Sequence, residues 1–274
     1  MWIISVLVIV PVLYIVTGRD LPVEAAQRLD ELFPKDAAPT SQYLALAFIG
    51  GMLVGGTHLH IVVRYLSTVV HELGHAFVAG ILGGRPKNIT IATNAGGVAV
   101  YQPPLGWGRY RATLVSLAGY PAPAVASLAA VRSLQLGYSR AWFIFAAGTL
   151  AVAIIFLIRN FWGFFWTGIV VGGSYYGGQQ LEVQVLGLIV AGIAGYLAVE
   201  AVRNAWEQLS IIRVASGSGC DAERVAIWWR FNAKVVGFLH LISVLLISGY
   251  ASYLAVSPYW TGITDWITEF TSTQ

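Results

Sequence analysis

The sequence predicts an all-α polytopic membrane protein with about eight transmembrane segments and one small β-hairpin. Three observations carry this expectation. Apolar residues make up 57% of the chain and charged residues only 11%, against about 25% charged in a soluble domain. Apolar runs long enough to cross a bilayer recur from one end of the chain to the other. A single β-prone stretch, Asn88–Tyr101, interrupts them directly after a helical segment that carries two histidines. Ten Trp and thirteen Tyr suit interfacial aromatic belts.

The net charge is only +3 and the basic residues are scattered, so nothing suggests a nucleic-acid partner. The single Cys220 excludes an intrachain disulfide and a multi-cysteine metal site. No appendage of domain size interrupts the apolar pattern. The expectation is therefore one membrane-embedded domain over residues 1–274, with an interfacial loop (18–41), a motif-bearing core (66–131) and a polar loop (203–230).

Met1–Thr17 is apolar and has neither a basic leader nor a small-residue cleavage site, so it reads as a retained membrane helix. In 18–41, Ala25, Leu29, Leu32 and Phe33 recur at helical spacing against Glu24, Arg28, Asp30 and Glu31, as in an amphipathic interfacial helix. A solvated loop with one helical turn is the competing reading. Gln42–Ile61 is a second membrane helix, whose glycines Gly50, Gly51, Gly55 and Gly56 permit close approach to a neighbour. His58 and His60 stand at its end; two residues apart, they point to different faces and suit an interfacial position better than a shared metal.

Leu66–Leu82 is a further helix, ended by Gly83-Gly84. Asn88–Thr93 and Gly97–Tyr101 then read as two strands around Asn94-Ala95-Gly96. A strand edge cannot face lipid, so this hairpin must line an enclosed or watery space, where its edge could add a substrate strand. Ala112–Val131 is apolar but contains Gly119, Pro121 and Pro123, which predict a kink. Trp142–Ile158, the short Phe161–Gly173, Leu181–Val202 and Ala233–Val256 complete the expected spans. Arg85, Lys87, Arg109 and Arg111 near the hairpin, and Arg203, Arg213, Arg224, Arg230 and Lys234 in the late loop, fall on one side if the spans alternate. The positive-inside rule makes that side cytoplasmic.

The chemistry concentrates in His71-Glu72-Leu73-Gly74-His75. On a helix, His71 and His75 lie one turn apart on one face and can hold one Zn²⁺. Glu72 stands beside the first ligand, where a carboxylate can act as base. Intramembrane His and Glu are costly unless they act together. A catalytic zinc wants a third protein ligand. Asp221, in a Gly/Ser-rich stretch on the expected side, is the first choice; Glu200 and His240 are the alternatives. Asp221 also suits the N-cap of a helix over Ala222–Trp229. Asn94 is a candidate for aligning substrate at the hairpin. Two readings of the chain compete: an intramembrane zinc protease, and a non-catalytic scaffold or transporter with a structural metal or polar cluster. The presence of a base favours the first, and no internal repeat supports a transporter.

These residues also carry a resemblance. The His71–His75 motif in a membrane helix, the Gly-Gly-led hairpin after it, and Ala118-Gly119-Tyr120-Pro121 in a further helix resemble the site-2 protease family of intramembrane zinc metallopeptidases. They are most similar to its compact bacterial branch without a PDZ domain. The resemblance implies His71 and His75 as zinc ligands and Glu72 as catalytic base. It implies an aspartate as third ligand, commonly in a Leu-Asp-Gly context. This chain has no Leu-Asp-Gly, and Cys220-Asp221-Ala222 is the nearest equivalent. A bacterial cell-membrane location and membrane-anchored protein substrates, cut in or near their transmembrane segments, are likewise implied by resemblance.

Overall fold

The computed structural model describes residues 41–58, 60–214, 217 and 219–272, with isolated positions at 27, 31, 35 and 36. The helix expected over Met1–Thr17 and the amphipathic segment of 18–41 fall outside the described residues, those isolated positions and Ser41 apart. The elements are α1 (Ser41–Gly56), α2 (His60–Ile81), β1 (Arg85–Ile91), β2 (Gly97–Gln102), α3 (Arg109–Ala118) and α4 (Pro121–Gln135). They continue with α5 (Ser139–Phe156), α6 (Phe161–Gln180), α7 (Val183–Val214), α8 (Asp221–Trp229) and α9 (Ala233–Ser272).

Three helices are long and apolar enough to cross a membrane: α5, α7 and the Ala233–Pro258 part of α9. A fourth span results if α3 and α4, bent by 56° at their junction, count as one. The count of about eight is therefore not reached among the described residues. The reason is composition and length. α1 has 16 residues, α2 spends its length on His60, Arg64, His71, Glu72 and His75, and α6 ends in Ser, Tyr, Gly and Gln. Large apolar side chains nevertheless face outward: Leu53, Ile155, Phe156 and Leu246 are 62–70% exposed, an arrangement suited to lipid and not to water.

Several boundaries differ from expectation. The second helix stops at Gly56, and a turn at Thr57, whose hydroxyl bonds Val54 O, lets His60 open α2 six residues before the expected Leu66. The kinked 112–131 helix is two helices, because Pro121 opens a new one at N1. α7 runs through to Val214 and absorbs the first part of the expected polar loop. α6 extends to Gln180 rather than stopping near Gly173.

Two apolar layers fix the architecture. One joins α1, α4, α7 and α9 around Phe48, Val131, Leu186, Val190 and Ala194. Here α1 and α7 touch backbone to backbone: a Cβ on Gly51 would lie 1.9 Å from Gly192 O, and one on Gly195 would lie 1.9 Å from Phe48 O. Only glycine permits that approach, which is how helices pack where lipid replaces water. The other layer joins α2, the hairpin, α5 and α6 around Val69, Ala76, Ile89, Ile91 and Ala153.

The hairpin is antiparallel, with Ile89 opposite Ala99 and a register shift between Pro86 and Asn88. Its turn is fastened to α2: Thr68 Oγ1 donates to Ala95 O at 2.7 Å and Tyr65 OH donates to Thr93 O. The outer edge of β1 is closed. Ile89 N donates to Leu157 O and Arg159 N donates to Ile89 O, while the Asn160 carboxamide bonds both N and O of Ile91 at 2.9 and 2.6 Å. Since the backbone groups of Ile89 and Ile91 point away from β2, ladder alternation turns those of Asn88 and Thr90 toward Val100 and Val98. The backbone groups of Gly97, Ala99 and Tyr101 then face the opposite way, along an edge that no strand covers among the described residues.

Candidate metal centre

α2 presents three faces to three neighbours. Val69, Leu73 and Ala76 point into the layer beneath the hairpin. Thr68 and Glu72 face β2, and His71 and His75 face the α3–α4 junction. The helical period alone produces this separation, since residues three or four apart share a face.

The two imidazoles converge with a side chain from far along the chain. His71 Nε2 and His75 Nε2 are 3.1 Å apart. Asp221 Oδ2 lies 3.1 Å from His75 Nε2 and 3.5 Å from His71 Nε2. Zinc bound at about 2.0–2.1 Å to tetrahedral ligands would hold their donor atoms about 3.3 Å apart, so the triangle fits that face of a tetrahedron. Among the described residues, this is the one group of three metal-ligating side chains with its donor atoms clustered.

Each donor is oriented by a second contact. His75 Nδ1 donates to Val115 O on α3 at 2.6 Å, which fixes the ring and leaves Nε2 facing the cluster. His71 stands edge-on to the Tyr120 ring, with centroids 4.7 Å apart. Asp221 is the first residue of α8, and Cys220 takes the N-cap position without a side-chain capping hydrogen bond. Glu223 fastens the loop before α8, its oxygens accepting from Gly217 N at 3.1 Å and Gly219 N at 2.7 Å. Asp221 points at the histidines. Burial opposes its charge, yet hydrogen bonds from His71 and His75 hold its carboxyl well below the usual carboxylate range. Ala222 and Val225 anchor α8 against Ile212 and Val236.

Glu72 is 5% exposed and lies against the open edge of β2. A Cβ on Gly97 would stand 2.6 Å from Glu72 Oε1. The base candidate and the uncovered strand edge are therefore in direct contact.

The alternative third ligands are placed elsewhere. Glu200 is fully buried on α7, with Arg203 Nη1 at 3.6 Å. His240 on α9 bonds Gln208 Oε1 through Nδ1 at 2.9 Å and stacks on Tyr120, one ring away from His71. His60 bonds Thr57 O at the start of α2, and His58 is exposed in the preceding turn. Asn94 lies in the hairpin turn, with Oδ1 accepting from Gly96 N at 3.0 Å; it shapes the turn adjoining the Thr68 contact.

Sequence reasoning passed over Gly119 as a site residue. A Cβ there would lie 2.3 Å from His75 Nε2 and 2.6 Å from His71 Nε2. The α3–α4 break is thus the wall of the centre, and its glycine is the space the imidazoles occupy. A glycine between two prolines and an apolar helix signals a kink, but not what the kink makes room for. Asn160 was also missed, because its partner Ile91 is 69 residues away.

No curated protein and no solved structure matches the chain. A family profile described as Peptidase M50B-like matches residues 43–251. That region contains both helix layers, the hairpin and every side chain of the His71–His75–Asp221 cluster. The chain therefore belongs to the Peptidase M50B-like family, membrane metallopeptidases of the site-2 protease type.

Proposed function

We propose that this protein is a zinc-dependent intramembrane endopeptidase that hydrolyses peptide bonds in or near the transmembrane segments of membrane-anchored proteins. The observation that carries the reading is the meeting of Asp221 with His71 and His75, on atoms 3.1–3.5 Å apart, beside the buried Glu72. His71, His75 and Asp221 would hold the ion. When bound, Zn²⁺ supplies Lewis acidity toward water and toward the scissile carbonyl. Glu72 accepts the proton of the attacking water and returns it to the leaving amine nitrogen. Gly97, Ala99 and Tyr101 offer outward backbone groups, so a substrate unwound into an extended strand can lie along β2 within reach of Glu72. Asn94 serves that alignment through the turn it shapes. The site is enclosed by apolar helices, which suits a membrane enzyme acting on a membrane-anchored partner. A scaffold with a purely structural metal would give Glu72 no task.

The test is cleavage of a membrane-anchored reporter by purified protein, with Glu72→Gln in parallel. General acid–base catalysis contributes about 10²–10⁴-fold, so the variant should lose at least about 100-fold in rate while keeping its zinc. Equal cleavage by both proteins, or a wild type without zinc, would overturn the mechanism.

A further inference from the structure

The two histidines of the metal centre are held differently. His75 Nδ1 donates to Val115 O at 2.6 Å, the kind of bond by which a metal-bound imidazole is normally oriented. Among the described residues His71 Nδ1 has no such partner; the polar contacts of that ring, to His75 and Asp221, are all made by Nε2. The plane of the His71 ring is left to ring contacts. One is His75 itself. The other is Tyr120, whose ring meets it at 89° with centroids 4.7 Å apart.

Tyr120 is fixed in its turn from two spans. It stands at the α3–α4 bend as the N-cap of α4 and packs against the apolar cluster built on Ala124, Ala205 and Val244 of α4, α7 and α9. His240 of α9 stacks on it at 27°, with centroids 5.1 Å apart, inside the range over which aromatic rings attract. His240 is held by Gln208 of α7, whose Oε1 accepts from Nδ1 at 2.9 Å. The contacts therefore run without a gap from Gln208 through His240 and Tyr120 to His71.

Stability alone does not account for the polar end of this chain. His240 is 2% and Gln208 1% exposed, and His240 Nε2 and Gln208 Nε2 have no partner among the described residues. Unpaired polar atoms between membrane spans cost free energy. What the pair supplies is direction, because a hydrogen bond fixes an orientation that apolar packing leaves free. The same face of α7 also locates the backbone of the metal helix: Asn204, one turn before Gln208, donates to Ser67 Oγ at 3.1 Å, and Ser67 lies one turn before His71.

We propose that Gln208 and His240 are positioning residues for the metal: acting through Tyr120, they set the plane of the His71 ring so that its Nε2 meets those of His75 and the Asp221 carboxylate. This role rests on the zinc-peptidase reading and deepens it. It also gives His240 a task other than ligation, in keeping with its place outside the donor cluster.

The test compares Gln208→Met, Tyr120→Leu and the double variant with wild type. Zinc affinity is read by competition with a chromogenic chelator, ligand geometry by the visible absorption of the cobalt-substituted protein, and the fold by thermal unfolding of the metal-free protein. Each single variant should weaken zinc by at least about tenfold and alter the cobalt bands. The double variant should bind no more weakly than Tyr120→Leu, because Gln208 has nothing to act on once the ring is gone. Tyr120→Phe keeps the ring and should stay within about threefold of wild type. His240→Leu is a second way to break the chain, read by the same cycle. Wild-type affinity and cobalt bands in both Gln208→Met and His240→Leu overturn the proposal. So do losses that multiply in the double variants, which would make the contributions independent, and a Tyr120→Phe as impaired as Tyr120→Leu, which would give the role to the hydroxyl. None of these readouts requires cleavage. A wild type that binds metal and cleaves no reporter would sink the protease and leave the positioning to stand or fall on the cycle. Unchanged metal binding in the variants of a cleaving enzyme would do the reverse, and a wild type that binds neither metal would overturn both.

Discussion

Replacing Gly119 by Ala isolates the geometry of the centre from the stability of the fold. Gly119 has φ −63° and ψ −57°, a right-handed helical conformation that alanine adopts freely. The backbone therefore has no objection to the substitution. The imidazoles do: the new Cβ would lie 2.3 Å from His75 Nε2, while ordinary contact begins at 3.4 Å. Both rings must retreat, that of His75 by about 1.1 Å and that of His71 by about 0.8 Å. Metal-ligand distances tolerate about 0.2 Å, so the larger displacement is about five times the tolerance. Second-sphere changes that leave the ligands in place already cost 10–100-fold in metal affinity. Gly119→Ala should therefore weaken zinc binding by at least about 100-fold, and peptidase activity should fall with it. The assay is zinc competition against a chromogenic chelator, with thermal unfolding of the metal-free protein alongside. Gly148→Ala is the control, since a Cβ there meets nothing within 4 Å. Zinc affinity equal to wild type in Gly119→Ala would refute the claim that this glycine makes room for the ligands.

Asp221→Asn keeps the shape of the third donor and removes its charge. Zinc should drop well below one per chain, with activity reduced at least about 100-fold; full zinc content that disappears only on adding His240→Ala would move the ligand role to His240. Asn160→Ala leaves Ile91 N and O without their side-chain partners. An unsatisfied group of this kind costs about 1–3 kcal/mol, which amide exchange should register as faster opening of Ile89–Ile91; unchanged exchange would show that the edge of β1 does not depend on Asn160.

The division between what was legible and what was not follows interaction range. His71, Glu72 and His75 are related by helical period, so their faces could be read directly from spacing. The hairpin was equally local: β-prone runs around Asn94-Ala95-Gly96 correspond to strands over Arg85–Ile91 and Gly97–Gln102. Hydropathy marked membrane helices, but gave more of them than the three or four that are long and apolar enough among the described residues. It cannot foresee that Pro121 starts a new helix at a 56° bend or that α7 carries polar residues onward to Val214.

By itself, then, the sequence determined two histidines on one face of α2, a glutamate beside them, a β-hairpin after them and an apolar surround, because each depends on neighbours within a turn or a strand. Tertiary structure alone decided which acid completes the cluster. Asp221, Glu200 and His240 were open alternatives along the chain, and only the packing of α8 on Ile212 and Val236 brings one of them within 3.1 Å of His75. It alone turned Gly119 from a kink into the space that two imidazoles occupy. It also set the free edge of β2 against Glu72, because Leu157–Asn160 had already closed the edge of β1. The opening His71–His75 pattern is a local fact; the centre that it enters is made by contacts that no spacing encodes.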